Sequence, residues 1–390
     1  MQSQTATFRH EVIDAAPPTT RLGFCLATDL TDNGRPDVVV GGAGPETKLF
    51  IGGGRTRLPN LAGIRQAAGL AGSTLFWYEN PGWERHAIAD VPHLDVGGAL
   101  GDIDGDGRVD VLAGQGIHYS DAYWFEQPAD PRDDWTPHLI TSDFEKYHDL
   151  AVGDVDDDGE PEVLGLSQRS ETVFYYDIPP DPTVEPWPAT ARHVVDDDIE
   201  VEGVWIGDID DDGRTEIVAG TTIYRRRDDR WQAEPVATGW DNVRVAVSDL
   251  DGDGEPEIVL AEGDSPTYGT HPGRLAWFDR QGEDWVGTVL HDDLFCPHSL
   301  QTADFTGDGR PDIYVGEMSL GENDDPKHYL FRNRGDGRFE ETLVASGIET
   351  HEAKAVDLTG SGLPDVVGKS YTPDHHVDVW YNGYADSESV

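Results

Sequence analysis

The sequence predicts an all-β protein, a seven-bladed β-propeller with four antiparallel strands in each blade. Three observations support this fold class: an acidic segment that recurs along the whole chain, a constant order of short apolar runs around each copy, and the lack of convincing helical periodicity. We expect the 390 residues to form a single propeller domain, 1–390.

The repeated acidic segment sets the number of blades. Its clearest copy is residues 101–112, GDIDGDGRVDVL. The seven copies begin at Asp29, Asp102, Asp154, Asp208, Asp249, Asp304 and Asp357. The longest interval, between the first two copies, contains a glycine-rich insertion at 42–73, which we place in the first blade. Because one supersecondary unit per repeat is typical of propellers, seven copies predict seven blades.

Each copy lies between two short apolar strands and is followed by an aromatic strand and a closing strand. In the third copy these are residues 150–153 (LAVG), 161–166 (PEVLGL), 173–176 (VFYY) and 192–195 (RHVV). Turn residues separate the four runs, which is the pattern of a propeller blade.

The two ends of the chain complete one blade together. The last copy stops after its third strand, at 377–381, whereas residues 7–13 resemble an isolated fourth strand. We therefore expect residues 7–13 to be the outer strand of the last blade. This pairing closes the ring and removes an open edge that would invite edge-to-edge association.

The acidic loops have the ligand spacing of a calcium site. Aspartates at alternate positions, a glycine for the sharp turn and an acidic residue at the ninth position place oxygen ligands as in a shortened EF-hand loop. We expect several structural Ca²⁺ ions, which neutralise carboxylates that would otherwise repel each other. The predicted ligands are Asp102, Asp104, Asp106, Asp110, Asp154, Asp156, Asp158, Glu162, Asp208, Asp210, Asp212, Glu216, Asp249, Asp251, Asp253, Glu257, Asp304, Asp308 and Asp312. The loops at Asp29 and Asp357 have fewer acidic residues, and we expect weak binding or none.

The charge balance limits the partners. The chain carries 76 Asp and Glu against 28 Lys and Arg, a formal net charge of −48. This argues against nucleic acid and anionic membranes as partners, because binding to both depends on Lys and Arg. No apolar run is long enough for a membrane helix. The lysine-poor acidic composition resembles that of proteins from salt-accumulating haloarchaea, so we expect a halophilic protein.

The N-terminal residues and the cysteines bear on the compartment. The first residues have no apolar signal-like segment. The two cysteines, Cys25 and Cys296, cannot form a disulfide framework. We expect a cytoplasmic protein, or a secreted one if the sequence is a trimmed mature form.

The repeats resemble the FG-GAP/VCBS repeats of integrin α-subunits and of many microbial proteins. Residues 77–86, WYENPGWERH, are similar to the microbial VCBS version. This resemblance extends over nearly the whole chain and implies a calcium-stabilised propeller. Repeats of this kind also resemble the propellers of rhamnogalacturonan lyases and aldos-2-ulose dehydratase, which implies β-elimination on a carbohydrate.

Blade geometry places one residue of each repeat at the upper mouth of the central channel, opposite the acidic loops. At this offset, six positions before the first loop aspartate, the repeats have Gly23, Val96, His148, Glu202, Val243, His298 and His351. Three histidines and a glutamate at one offset predict a site. The candidate catalytic residues are His148, His298, His351, Tyr147, Arg244 and Glu202. The candidate substrate-binding residues, from the flanks and upper loops, are His93, Lys146, Arg169, His271, Lys327, His328, Lys354 and Tyr371.

Two chemistries suit these residues. In one, the three histidines, with Glu202, hold Zn²⁺ or Mn²⁺, which polarises a sugar carboxylate or carbonyl. In the other, Arg244 or a lysine neutralises the charge while a histidine or Tyr147 removes the proton α to the carbonyl. Both lead to β-elimination.

We therefore expect a lyase or dehydratase acting on a uronate- or ketosugar-type substrate. The alternative is a non-catalytic calcium-stabilised propeller that binds a glycan or a protein partner on the same face. In either case the cationic groups favour an anionic or hydroxyl-rich ligand.

Overall fold

The computed structural model describes residues 8–19, 21–44, 48–51, 54–57, 73–228, 230–321, 323–372 and 374–384. In this part of the chain, thirty strands form seven four-stranded antiparallel sheets and one two-stranded sheet. A 3-10 turn is formed by Ala189–Ala191, and none of the described residues forms a helix long and apolar enough to cross a membrane. The predicted all-β, seven-bladed architecture is confirmed.

Each blade contains four strands that follow one another from the channel outward. Blade one contains β2 (Leu22–Thr28), β3 (Asp37–Gly42), β6 (Leu75–Glu79) and β7 (Glu84–Ala89). Blade two contains β8 (Gly98–Gly101), β9 (Asp110–Gly114), β10 (Ala122–Glu126) and β11 (Thr136–Thr141). Blade three contains β12 (Tyr147–Gly153), β13 (Glu162–Ser167), β14 (Thr172–Asp177) and β15 (Arg192–Asp196). Blade four contains β16 (Val204–Gly207), β17 (Glu216–Ala219), β18 (Thr222–Arg227) and β19 (Arg230–Pro235). Blade five contains β20 (Val243–Ser248), β21 (Glu257–Glu262), β22 (Gly273–Gln281) and β23 (Asp284–Leu294). Blade six contains β24 (Ser299–Ala303), β25 (Asp312–Gly316), β26 (Lys327–Asn333) and β27 (Phe339–Ser346). Blade seven contains β28 (Glu352–Val356), β29 (Asp365–Lys369), β30 (Val377–Asn382) and β1 (Phe8–Asp14).

The ring is held together at the interfaces between blades. Seven hydrophobic clusters lie in the described residues, one between each pair of neighbouring blades, including the pair formed by blades seven and one. The aromatic third strands supply the largest buried side chains, such as Trp77, Trp124 and Trp380. The first strands of neighbouring blades contact each other around the whole channel. Burial of apolar surface between blades is therefore the main force that shapes the ring.

The last blade is completed by the N-terminal strand, as predicted. β1 pairs antiparallel with β30, from Phe8 opposite Asn382 to Asp14 opposite Val377. His10 Nε2 lies 3.0 Å from the buried carboxylate of Asp378. The pairing leaves β30 with a partner on both sides, so blade seven has no missing outer strand.

Replacing Phe8 by alanine should lower the free energy of unfolding by about 2 kcal/mol, because the ring is half-buried at this closure. The Phe8 ring packs edge-on against Phe305 and Tyr384, with centroids 6.1 and 6.5 Å away. Urea unfolding would measure the change, with Val12→Ala on the exposed side of the same strand as the control. Equal stabilities of the two variants would show that β1 contributes little to closure.

The predicted insertion at 42–73 is described only in part. It contains the hairpin of β4 (Lys48–Ile51) and β5 (Gly54–Arg57). Residues 45–47, 52–53 and 58–72 lie outside the described residues.

Candidate functional site

A cavity of about 410 Å³ lies at the upper mouth of the channel. It is lined by the residues that begin the first strands of the blades, whereas the acidic loops follow the ends of the same strands. His148 lies at the start of β12, Glu202 lies two residues before β16, and His298 and His351 directly precede β24 and β28. The common sequence offset therefore corresponds to a common position in the ring, and all four residues line the cavity.

Three of these side chains converge. His148, Glu202 and His298 each offer one ligand atom, and these atoms all lie within 4.8 Å of one another. The distances from Glu202 to His148 Nε2 and His298 Nε2 are 3.0 and 3.7 Å. The glutamate is almost fully buried, at 1% exposed. Blades three, four and six thus each contribute one residue to a two-histidine, one-carboxylate cluster.

In His148 and His298, the ring nitrogen that points away from Glu202, Nδ1, has a hydrogen-bond partner within the protein. His298 Nδ1 donates to the backbone carbonyl of His351 at 2.7 Å, and His148 Nδ1 lies 3.2 Å from Asp149 Oδ2. Both Nε2 atoms therefore face Glu202. Such hydrogen bonds to the second ring nitrogen are typical of histidines that bind metals through Nε2.

One oxygen of the cluster is unsatisfied. Glu202 Oε2 is buried, lies 3.7 Å from His298 Nε2 and has no hydrogen-bond partner among the described residues. Because Nδ1 of His298 donates to the carbonyl of His351, a proton or a metal ion between Nε2 and Oε2 would satisfy both atoms. The donor set of two imidazoles and one carboxylate suits a divalent metal ion such as Zn²⁺ or Mn²⁺.

The buried ionisable groups of the cavity have pKa values shifted in opposite directions. Burial alone would lower the pKa of His148, but Glu202 and Asp149 outweigh it and raise the pKa to about 9. Burial alone would raise the pKa of Glu202, but His148 and His298 hold it well below its ordinary value. Arg244 binds both oxygens of Asp149, at 3.0 and 3.2 Å, so its charge is already paired within the protein.

His351 has a different environment from the other two histidines. Its ring is stacked between His298 and Tyr371, with centroids 4.1 and 4.5 Å away. Its Nδ1 accepts a hydrogen bond from the buried ammonium of Lys369. Burial and Lys369 hold the pKa of His351 well below its ordinary value, so the ring is neutral and carries its hydrogen on Nε2. His351 is thus a hydrogen-bond donor beside the cluster, whereas the sequence grouped it with the metal ligands.

Three of the predicted binding residues line the cavity: Lys146, Arg169 and Tyr371. The ammonium of Lys146 donates to the side-chain oxygen of Gln168, whose amide in turn donates to Glu202 at 2.8 Å. Arg169 is exposed at the rim, and no residue of the described chain pairs with its guanidinium.

Two of the predicted residues belong to blade interfaces instead. Tyr147 is fully buried between blades two and three, and its hydroxyl donates to the carbonyl of Ser120 at 2.6 Å. His328 is fully buried, its ring lies 4.6 Å from that of Trp380, and burial lowers its pKa to about 4. Alternation along a strand turns both side chains away from the cavity, so neither is in place for the predicted role.

Four other predicted residues are not part of the cavity lining. They are His93, His271, Lys327 and Lys354. His93 stacks on Tyr119 with ring centroids 3.8 Å apart, and Lys354 binds Glu352 at 2.7 Å. Sequence offset indicates the height of a residue in its blade, but it does not indicate the distance of the side chain from the channel axis.

The sequence reasoning missed ionisable residues of the cavity, among them Arg21 and Asp264. Asp264 lies in the loop between β21 and β22, and burial together with Glu202 raises its pKa to about 6. Its position in a loop between a second and a third strand, which opens toward the upper face, was the signal that could have identified it. A carboxyl group with this pKa can accept or donate a proton near neutral pH.

The acidic loops at the lower end are built alike. In the second blade, Asp102 accepts the backbone N–H groups of Asp106 and Gly107 at 3.1 and 3.0 Å. The ninth-position Asp110 is buried and accepts the N–H groups of Ile103 and Gln127, both at 2.9 Å. The carboxylate therefore connects the loop to the end of the third strand.

Four loops bring together three carboxylate oxygens within 4.8 Å: those that begin at Asp102, Asp154, Asp208 and Asp249. Burial raises the pKa of the ninth-position residues Asp110, Glu162, Glu216 and Glu257 to about 7. One oxygen of Asp156 is buried without a hydrogen-bond partner in the described chain. Oxygen-only donors with an unsatisfied atom fit Ca²⁺.

In the fourth blade an arginine shares the loop. Arg225 lies 2.6 Å from Asp210 and 3.4 Å from Glu216. The guanidinium supplies part of the positive charge that an ion would otherwise provide. Arg226 lies 3.2 Å from Asp156 of the third-blade loop in a similar way.

Comparison with known proteins is consistent with the architecture. Three segments match the model of the FG-GAP-like repeat: residues 102–165, 249–315 and 304–368. A search of curated proteins finds no match. Two solved structures are similar to the chain over 96% of its length, each with a TM-score of 0.52 and 10% identity: the V. cholerae biofilm matrix protein Bap1, of which 91% is covered, and BBS1N in complex with ARL6DN, of which 96% is covered. At this identity the similarity concerns the fold alone. The repeats and the closed ring of seven blades show that the chain belongs to the FG-GAP-repeat β-propellers.

Proposed function

We propose that the cavity is the active site of a lyase or dehydratase that carries out β-elimination on a uronate- or ketosugar-type carbohydrate. The observation that carries this proposal is the cluster of His148, Glu202 and His298 in a cavity that is also lined by the guanidinium of Arg169, unpaired within the described chain, and by the proton-transferring Asp264. Pockets that combine a ligand-sized volume with ionisable groups of shifted pKa are typical of active sites.

His148, Glu202 and His298 would hold one divalent metal ion. The ion would polarise the carboxylate or carbonyl of the sugar and so acidify the neighbouring C–H bond. The anchored Nδ1 atoms of both histidines keep the rings oriented before the ion binds. Burial of Glu202 excludes water from one side of the cluster.

Other groups of the cavity have distinct roles in the proposed reaction. Arg169, which has no partner among the described residues, suits a substrate carboxylate because its planar guanidinium binds two oxygens at once. Asp264 is placed to accept a proton. The neutral His351 offers its Nε2 hydrogen to an oxygen that becomes negative during the reaction.

The proposed elimination transfers one proton, forms one C=C bond and breaks one C–O bond. The Asp264 carboxylate removes the proton α to the sugar carbonyl or carboxylate. The electron pair of that C–H bond forms a C=C bond, and the C–O bond at the next carbon breaks. The departing oxygen takes the proton back from the Asp264 carboxyl group, directly or through water, which restores the carboxylate, and the products leave the cavity.

We also propose that the complete acidic loops bind structural Ca²⁺. The support is the convergence of oxygen atoms in four loops together with the burial of their ninth-position carboxylates. Buried carboxylates of like charge are unfavourable without a cation, so binding of Ca²⁺ would stabilise the folded ring.

A turnover screen tests the proposed reaction. The purified protein, supplied with Mn²⁺ or Zn²⁺ at high and low KCl, is incubated with uronate-containing oligosaccharides and with ketosugars, and the ultraviolet absorbance of a new C=C bond is followed. We expect turnover for at least one substrate. Tight binding of a glycan or protein at this face, without turnover of any substrate, would favour the non-catalytic alternative.

A further inference from the structure

A second, smaller cavity adjoins the candidate active site. It has a volume of about 300 Å³ and lies between blades four and five. We call it the side pocket and define it by the five residues Glu200, Thr221, Trp240, Asp241 and Asn242. Glu200, Glu202, Asn242 and Tyr268 line both cavities, so the two spaces share a wall.

The polar groups of the side pocket are available to a ligand. No described residue forms a hydrogen bond with the side chain of any of its five defining residues. They offer two carboxylates, one amide, one hydroxyl and one indole N–H. Groups of this kind match the alternating hydroxyl donors and acceptors of a sugar ring, while aromatic side chains cover its apolar face.

The charges of the two cavities differ. The side pocket contains Glu200 and Asp241, and its lining within the described chain includes no Lys, Arg or His. The main cavity is lined by cations as well as carboxylates: Arg21, Lys146, Arg169 and Arg244 against Asp95, Asp149, Glu200, Glu202, Asp264 and Glu352. Arg21 and Arg244 are paired with Asp95 and Asp149, whereas Arg169 is paired with no carboxylate of the described chain. An anionic sugar unit therefore finds a cationic partner in the main cavity and none in the lining of the side pocket, which favours an uncharged unit.

The space also matches more than one sugar unit. Ligand sites typically occupy roughly 300–1,000 Å³, and each of the two cavities falls in this range with about 410 and about 300 Å³. Tyr268, 65% exposed, lies where they meet and can cover the linkage between two units.

We propose that the side pocket is a second sugar-binding subsite, so that the protein acts on an oligosaccharide whose anionic unit lies at the histidine cluster and whose neighbouring unit, in the side pocket, is uncharged. This inference rests on the proposed function. It adds that the substrate has at least two sugar units and that an uncharged unit is next to the anionic one.

Isothermal titration calorimetry with three kinds of probe tests the subsite. The first is glucuronic acid, and the second comprises the two aldobiouronic acids in which glucuronate is linked to one neutral hexose in either order. The third is a disaccharide of two glucuronates. We expect an aldobiouronic acid to bind at least ~10-fold more tightly than either other probe, which corresponds to about 1.4 kcal/mol. Thr221→Tyr, which fills the side pocket, should remove this advantage and leave the affinity for glucuronic acid unchanged. Thr288→Tyr, on the exposed face of β23, is the matched control.

A charge variant provides a second readout. Glu200→Gln combined with Asp241→Asn should raise the affinity for the disaccharide of two glucuronates toward that of the aldobiouronic acid. Equal binding of glucuronic acid and the aldobiouronic acids by the unmodified protein would overturn the subsite and leave the proposed reaction standing. Binding of no probe, together with no turnover in the substrate screen, would overturn both.

Discussion

Replacement of Glu202 by glutamine is expected to abolish metal binding at the upper mouth and to lower turnover by at least ~100-fold. Glutamine preserves the shape of the side chain, but it removes the negative charge that faces both Nε2 atoms at 3.0 and 3.7 Å. Neutral oxygen ligands bind divalent ions more weakly than carboxylates do, and His148 loses the partner that keeps it in place. Metal content after dialysis and C=C absorbance during turnover are the measurements.

The matched control is Glu283→Gln, an exposed glutamate in the turn between β22 and β23. It should keep both metal and turnover. Thermal melts of the two variants separate a loss of the site from a loss of fold. If Glu202→Gln loses the metal and keeps its turnover, the chemistry without a transition metal is correct; if it keeps both, the cluster is not the catalytic centre.

Removal of calcium should lower the thermal midpoint strongly and reversibly. A ligand present at 100 times its dissociation constant stabilises a folded protein by about 2.7 kcal/mol per site, and whole domains are stable by only about 5–15 kcal/mol. Four complete loops can therefore contribute a free energy comparable to the total. Calorimetry in EGTA and then in excess CaCl₂, at constant NaCl and without Mg²⁺, measures the effect.

A single-loop variant tests the assignment of the ligands. Asp104→Asn should remove about 2–3 kcal/mol of the calcium-dependent stability, because one of three converging carboxylates in its loop is lost. Asp32→Asn, in the incomplete first loop, is the control, since asparagine tolerates the left-handed backbone at that position (φ 54°). Identical melting curves with EGTA and with Ca²⁺ would contradict the proposed role of the loops.

The fold was predictable because each blade is encoded locally. The acidic loop, the buried second strand and the aromatic third strand recur in the same order in every copy, so the number of blades equals the number of repeats. The fourth strand of the last blade could be identified at the N-terminus because its residues resemble the fourth strands of other blades. The pairing of Phe8–Asp14 with β30 confirms that inference.

The candidate site was predictable only in outline. The common offset of His148, Glu202 and His298 indicated a shared position at the channel mouth, and the three side chains do converge. Asp264 has no counterpart at that offset, so the repeat pattern does not reveal it. Tyr147 is adjacent to His148 in sequence, yet it faces the opposite side of β12 and packs between blades.

The amino-acid sequence alone determined the repeat unit, the blade number and the height at which the histidines lie, because these follow from short-range patterns and a fixed strand length. The tertiary structure decided which of those histidines meet a carboxylate and which, like His351, already have a partner in Lys369. That choice depends on distances across the channel between side chains from different blades, and such distances arise only when apolar burial between all seven blades closes the ring.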